Sequence, residues 1–216
     1  MNKKIFFFLF LLVIIFGLLL VRQINLTRQT TITRSNTPII ETELVNIPVE
    51  KTDASFGSPG AGLQIVEFNN LNCEECQKTH GILYQFAQSH PEEIQLVWKN
   101  LENESIFSAE NDFWPLTFFC ANKQNKFWQL AEEYLKNPDE KQFTAVISAV
   151  KISTAQFNAC LESAEAKQKI TQDRELIQTL KLQSAPVVFV NNRKINVPKD
   201  IKLEKLLEEF INKTTT

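Results

Sequence analysis

The stretch Leu63-Gln64-Ile65-Val66-Glu67-Phe68-Asn69-Asn70-Leu71-Asn72-Cys73-Glu74-Glu75-Cys76 decides how this chain folds. Leu63 to Phe68 is an apolar run that reads as a buried strand. A polar turn, Asn69 to Asn72, separates it from Cys73-Glu74-Glu75-Cys76. The two cysteines open a helical pattern with Ile82, Leu83, Phe86 and Ala87 on one face. A Cys-x-x-Cys pair in this position suits disulfide exchange. Unpaired N–H groups and the macrodipole at a helix N-terminus favour a thiolate there, and the thiolate is the species that attacks a disulfide. A second cysteine one turn on is close enough to resolve the mixed disulfide. Taken alone, the same pair also fits half of a zinc site.

Far downstream, Ser184-Ala185-Pro186-Val187-Val188-Phe189-Val190-Asn191-Asn192 reads as a β-branched strand that starts at a proline and ends in an Asn-Asn turn. Between the two strand signals, Ile94 to Leu101 reads as a second buried strand whose apolar content fits a central sheet position. Glu102 to about Leu182 carries helical signals only. Asp112 can cap a helix through Trp114, Phe118 and Cys120; Phe127, Leu130, Ala131 and Tyr134 share one apolar face; Asp139 and Ser153 can cap two more helices. Ile170, Leu176, Ile177 and Leu180 belong to a last long helix. The chain then returns to sheet in a hairpin over Val187–Val190 and Lys194–Val197. An amphipathic helix over Lys199–Ile211 follows.

The whole chain has 216 residues, enough for one domain plus an anchor. Its net charge is −2. Lys3, Lys4, Arg22, Arg28 and Arg34 lie within the first forty residues, which hold no acid, so removing those five charges leaves the remainder at −7. An acidic globular part argues against a nucleic-acid partner. Ile5 to Val21 is an unbroken apolar run behind a short basic head, and no small-x-small cleavage pattern follows it. It reads as an uncleaved signal anchor over residues 1–21, the alternative being a cleaved signal peptide. The Thr-rich, polar residues 22–56 read as a linker, and residues 57–216 as the domain. A Cys-x-x-Cys with two further cysteines fits an oxidising compartment, so a single-pass cell-membrane protein with an extracytoplasmic globular domain is expected.

This order of strand, Cys-x-x-Cys helix, strand, helical insertion, Pro-started hairpin and C-terminal helix resembles the DsbA-like thiol-disulfide oxidoreductases. Ile65-Val66-Glu67-Phe68 looks like the family's strand before its motif. Asn125-Lys126-Phe127-Trp128 resembles the family's "GKFW" stretch, and Phe157-Asn158-Ala159-Cys160-Leu161 its "F-x-x-C-L" stretch. The likeness covers about residues 56–212 and implies an α/β, thioredoxin-like fold with an inserted helical subdomain at about 102–182, here preceded by a transmembrane helix. It implies that Cys73 is the nucleophile and Cys76 the resolving cysteine. Pro186 would be a cis-proline that, with the Ala185 backbone, holds an extended substrate strand. Glu67 would lie under the disulfide and take a proton from the resolving thiol, with Lys99 on the next strand as its ion-pair partner. Cys120 and Cys160 would form a second disulfide, the alternative being two buried free thiols. His80 and His90 read as solvated or packed residues without metal-ligand spacing.

The chain departs from the family in two places. Relatives usually carry Pro followed by an aromatic, His or another residue between the cysteines, where this chain has Glu74-Glu75. Two carboxylates disfavour a thiolate beside them, so the expected potential lies nearer about −270 mV than about −120 mV. Ala185 stands where relatives often have Thr or Val.

The leading expectation is thus a membrane-anchored enzyme that forms, reduces or isomerises disulfides in exported, cysteine-containing proteins, without a cofactor or a bound metal. A membrane redox partner, a quinone-linked reoxidase or an electron donor, would recycle it. A copper- or zinc-handling module using Cys73 and Cys76 is the alternative. A non-catalytic peptide-binding domain is a third, against which both cysteines and Glu67 count.

Overall fold

The computed structural model describes residues 16–17, 19–20, 22–23, 39–40, 43–101, 112–136, 138, 143–196 and 202–214. The chain divides into two units, Met1–Thr37 and Pro38–Thr216. The expected anchor over residues 5–21 lies mostly outside the described residues, as does the start of the linker. Among the described residues, no helix is long and apolar enough to cross a membrane.

The second unit is built on a six-stranded sheet. Its strands are β1 (Ile39–Ile40), β2 (Ala54–Gly57), β3 (Leu63–Asn69), β4 (Ile94–Asn100), β5 (Val187–Val190) and β6 (Arg193–Asn196), in the spatial order β1-β6-β5-β3-β4-β2. β3 and β4 run parallel and every other pair is antiparallel. The helices are α1 (Glu74–Ser89), α2 (Phe113–Asn122), α3 (Phe127–Lys136), α4 (Phe143–Ala149), α5 (Thr154–Leu161), α6 (Ala164–Thr179) and α7 (Leu203–Thr214). β3 and β4 read as near-continuous apolar runs because both faces of the sheet are covered there. Leu63, Ile65, Ile94 and Leu96 pack with Leu83, Phe86 and Ala87 of α1 and Leu206 and Leu207 of α7. Val66, Phe68, Val97 and Leu101 pack on the other face with Ile177 of α6 and Leu182.

The expected helical insertion is α2 to α6, with residues 102–111 outside the described set. Trp114, Phe118, Phe127, Leu130, Tyr134 and Phe157 form its own core, which reaches Leu71 and Trp98 of the sheet unit. Cys120 of α2 and Cys160 of α5 are bonded, with an S–S distance of 2.03 Å. Asp112 and Ser153 occupy N-cap positions but make no side-chain cap bond. Asp112 pairs instead with Arg174 of α6. Ser163 does cap α6, accepting from the Ala166 N–H at 3.1 Å.

Residues 22–56, read as a linker, contribute two edge strands. β2 pairs with β4, β1 pairs with β6, and Ile47 between them is buried. Edge strands are short and satisfy only one side of their backbone, so they leave little alternation in the sequence to find them by. Gly57 ends β2 at φ +84°, and a Cβ there would stand 2.0 Å from the Ile94 carbonyl oxygen. At the β5–β6 turn, Asn191 and Asn192 adopt φ of 47° and 63°, a conformation Asn tolerates. Asn191 also binds Gln64 on β3, taking an N–H from it through its side chain at 2.8 Å.

Candidate active site

The site is assembled where β3 runs into α1, and its turn is held by its own amides. Asn69 Oδ1 accepts from the Asn70 N–H at 2.7 Å, and Asn70 Oδ1 accepts from the Asn72 N–H at 2.8 Å. Gln77 Nε2 donates to the Leu71 carbonyl at 2.8 Å. Tyr134 Oη donates to Asn72 Oδ1 at 2.9 Å, so α3 of the insertion grips the residue next to Cys73.

Cys73 is the N-cap of α1 and is bonded to Cys76 at 2.01 Å. Its sulfur accepts from the Cys76 N–H at 3.2 Å, and in a reduced protein the same N–H would favour a thiolate. Cys73 is half-buried and Cys76 has no exposure at all. Of the two, Cys73 is therefore the one open to solvent. Glu74 and Glu75 are exposed in the first turn. Glu74 pairs with Lys78 at 2.8 Å, and that hydrogen bond and charge hold its carboxyl below the ordinary glutamate value.

The register of β5 on β3 pairs Val187 with Phe68. It brings Ala185-Pro186 to the end of the sheet from which the cysteine loop leaves. The Ala185–Pro186 peptide is cis, and both residues are half-buried.

Glu67 is completely buried on β3. Its partner is His80 of α1, not Lys99: His80 Nδ1 lies 2.7 Å from Glu67 Oε1 and has no exposure either. Asn69 Nδ2 donates to Glu67 Oε2 at 3.0 Å and to the Cys76 carbonyl at 3.1 Å, linking the acid to Cys76. The His80 ring lies nearly parallel to Trp128 and Tyr84 and edge-on to Trp98. Its Nε2 is buried and has no hydrogen-bond partner. A sequence signal for this placement existed. Cys76, His80, Leu83 and Ala87 recur at helical spacing on the buried face of α1.

Lys99 points the other way. It pairs with Asp53 at 2.7 Å, and Lys169 of α6 pairs with Asp53 at 3.0 Å and with Asp173. Lys99 also lies 3.8 Å from Asp173. This buried network ties the entry of β2, β4 and α6 together. Among the described residues, no group of three or more His, Cys, Asp or Glu converges as metal ligands.

Comparison with known proteins places the chain. A family model described as thioredoxin matches residues 49–211. The chain belongs to the thioredoxin family. The probable disulfide bond formation protein D of Bacillus anthracis is 26% identical over 181 residues, covering 75% of this chain and 80% of that protein. The fold matches oxidised BdbD from Bacillus subtilis with a TM-score of 0.62, at 18% identity over 79% of this chain and 97% of that one. It also matches a thioredoxin-like oxidoreductase from Silicibacter pomeroyi with a TM-score of 0.62, at 19% identity over 77% of this chain and 94% of that one. With the disulfide bond formation relative and its own Cys73-x-x-Cys76 pair, the chain is a thiol-disulfide oxidoreductase.

Proposed function

We propose that this oxidoreductase exchanges disulfides with cysteines of exported proteins from an extracytoplasmic position, tethered to the cell membrane through residues 5–21. The observation that carries the chemical part is the inequality of the two sulfurs. Cys73 is reachable at a helix N-terminus and Cys76 is sealed behind it. A substrate thiolate attacks Cys73 Sγ, the Cys73–Cys76 bond breaks, and Cys76 leaves as a thiolate that needs a proton. Glu67, linked to Cys76 through Asn69, is the acid on the buried side. A second substrate thiolate then displaces Cys73, and the substrate leaves oxidised by two electrons. The backbone at Ala185 and Pro186 would hold the substrate in extended form.

The compartment and the partners are read from different features. The apolar run over residues 5–21 supports the tether. The disulfide-forming relative supports exported substrates, and a membrane redox partner would restore the resting state. The domain proper would span about residues 57–216, together with the two edge strands ahead of it.

The deciding experiment is the redox equilibrium of the full chain in glutathione buffers, with the Cys73 and Cys76 thiols counted by alkylation and mass. A reversible two-electron transition at those cysteines is expected. A pair that does not respond to the buffer, or a metal retained on both sulfurs, would overturn the reading.

A further inference from the structure

We propose that His80 is a positioning residue for the Cys73–Cys76 centre, and that it acts through Glu67 as the holder of the proton delivered to Cys76. This rests on the oxidoreductase reading above and assigns a second group to its proton step. A buried carboxylate of this kind needs a partner, because an unpaired buried charge is strongly disfavoured. Here the partner is an imidazole 2.7 Å away. Histidine is the side chain whose ordinary titration falls between about pH 5 and pH 8. A lysine side chain ordinarily holds its charge throughout that range, whereas a histidine side chain is of the type that can release a proton within it.

The surroundings leave little else to take that role. Among the described residues, Glu67 of β3 is the acid paired with the ring, and Cys76 lies one turn back on the same buried face of α1. Tyr84 of α1 lies parallel to it, and burial and the charge of Glu132 push the Tyr84 hydroxyl up, away from neutrality. The remaining ring neighbours are Trp98 of β4 and Phe127 and Trp128 of α3. Lys99 sits on the opposite face with Asp53. The ring is fixed by stacking and by its Nδ1 contact, while Nε2 has no partner.

The step balances. Before it, the imidazolium and the Glu67 carboxylate together are neutral. A substrate thiolate attacks Cys73 Sγ and the S–S electron pair passes to Cys76. The Nδ1 proton of the ring passes to Glu67, which delivers it to the Cys76 sulfur and is left as a carboxylate. A neutral imidazole protonated at Nε2, a carboxylate and a Cys76 thiol remain. Solvent returns the proton to the pair after the substrate has left as its disulfide.

The test is the rate of oxidation of a reduced dithiol peptide by the full chain and by H80N, measured at about pH 5.5 and about pH 8 on either side of that titration range. The Asn side chain can still donate to Glu67 but cannot carry the proton. The ratio of wild-type to variant rates cancels the ionisation of the peptide thiols. It should be at least about tenfold larger at the lower pH, general acid help being worth about 10²–10⁴-fold. An equal loss at both pH values would mark His80 as merely structural and overturn the proposal, as would no loss at all. A wild-type chain without exchange activity would overturn the oxidoreductase reading as well, so the two failures are distinguishable. A second readout needs no variant. The chain has 2 histidines, so ring nitrogen NMR of labelled protein resolves His80 from His90. The His80 titration must differ between the oxidised and reduced forms; identical curves would overturn the proposal.

Discussion

Glu67 and Lys99 lie on adjacent strands and leave opposite faces of the sheet. Glu67 is registered with Trp98, and Lys99 with Phe68. One residue of register separates an ion pair from two independent charges, because side chains alternate along a strand. Each charge has found a partner on its own side, His80 for Glu67 and Asp53 for Lys99.

The separation can be measured. Glu67→Gln and Lys99→Met should act additively on unfolding free energy, to within about 0.5 kcal/mol, as sites with no shared partner do. A double-mutant cycle in urea checks it. A coupling well above about 1 kcal/mol would mean that the two charges meet after all.

Asp53 is the hub of the second network, since both Lys99 and Lys169 close on it. Asp53→Ala should cost about 3–5 kcal/mol by leaving buried lysine charge uncompensated. Burial alone would lower the Lys169 amine, but the carboxylates of Asp173 and Asp53 outweigh it and hold the group above its ordinary value. A folded value above the unfolded one gives stability that is complete below the ordinary lysine range, about pH 10.4, and is lost as pH rises through the raised value. The deficit of the variant should therefore be level across neutral pH and shrink only in alkali. Urea unfolding as a function of pH reads both. A deficit that closes already near neutrality would show that the lysine does not hold its charge.

The Cys120–Cys160 bond spans 40 residues of sequence and joins α2 to α5. The double change Cys120→Ala, Cys160→Ala should lower stability by about 2–4 kcal/mol, the usual scale for a loop of that length. Thermal unfolding checks it. Exchange at Cys73 and Cys76 should persist, since neither removed sulfur belongs to that turn. Loss of the Cys73–Cys76 transition in a folded variant would contradict this division of labour.

Glu74 and Glu75 follow Cys73 in the first turn of α1 and are unequally balanced. Lys78 compensates Glu74 at i,i+4, and leaves Glu75 as the less balanced charge. Glu75→Gln should favour the Cys73 thiolate and raise the potential by about 10–30 mV, one pKa unit being about 30 mV for a two-electron couple. Glu74→Gln should move it less. Glutathione titration of both variants gives the answer, and a fall in potential for Glu75→Gln would refute the electrostatic account. The effect should also shrink with added salt, since exposed charges are screened.

Much of this molecule was legible in one dimension. The strand Leu63–Phe68, the Cys-x-x-Cys helix, the apolar run at Ile94, the helical block and the proline-led hairpin all declare themselves over short windows. Their periodicity and turn residues are local properties of the chain. The order of elements and the Cys-x-x-Cys pair at the head of α1 therefore follow from the chain alone. Which charges meet was settled in three dimensions. His80 was placed beside Glu67 by the way α1 lies on the sheet, and Lys99 was turned toward Asp53 by the parity of β4. The edge strands β1 and β2 became strands only by finding β6 and β4. Pairing of this kind depends on register and on which faces are brought together, and neither is encoded within a window of neighbouring residues.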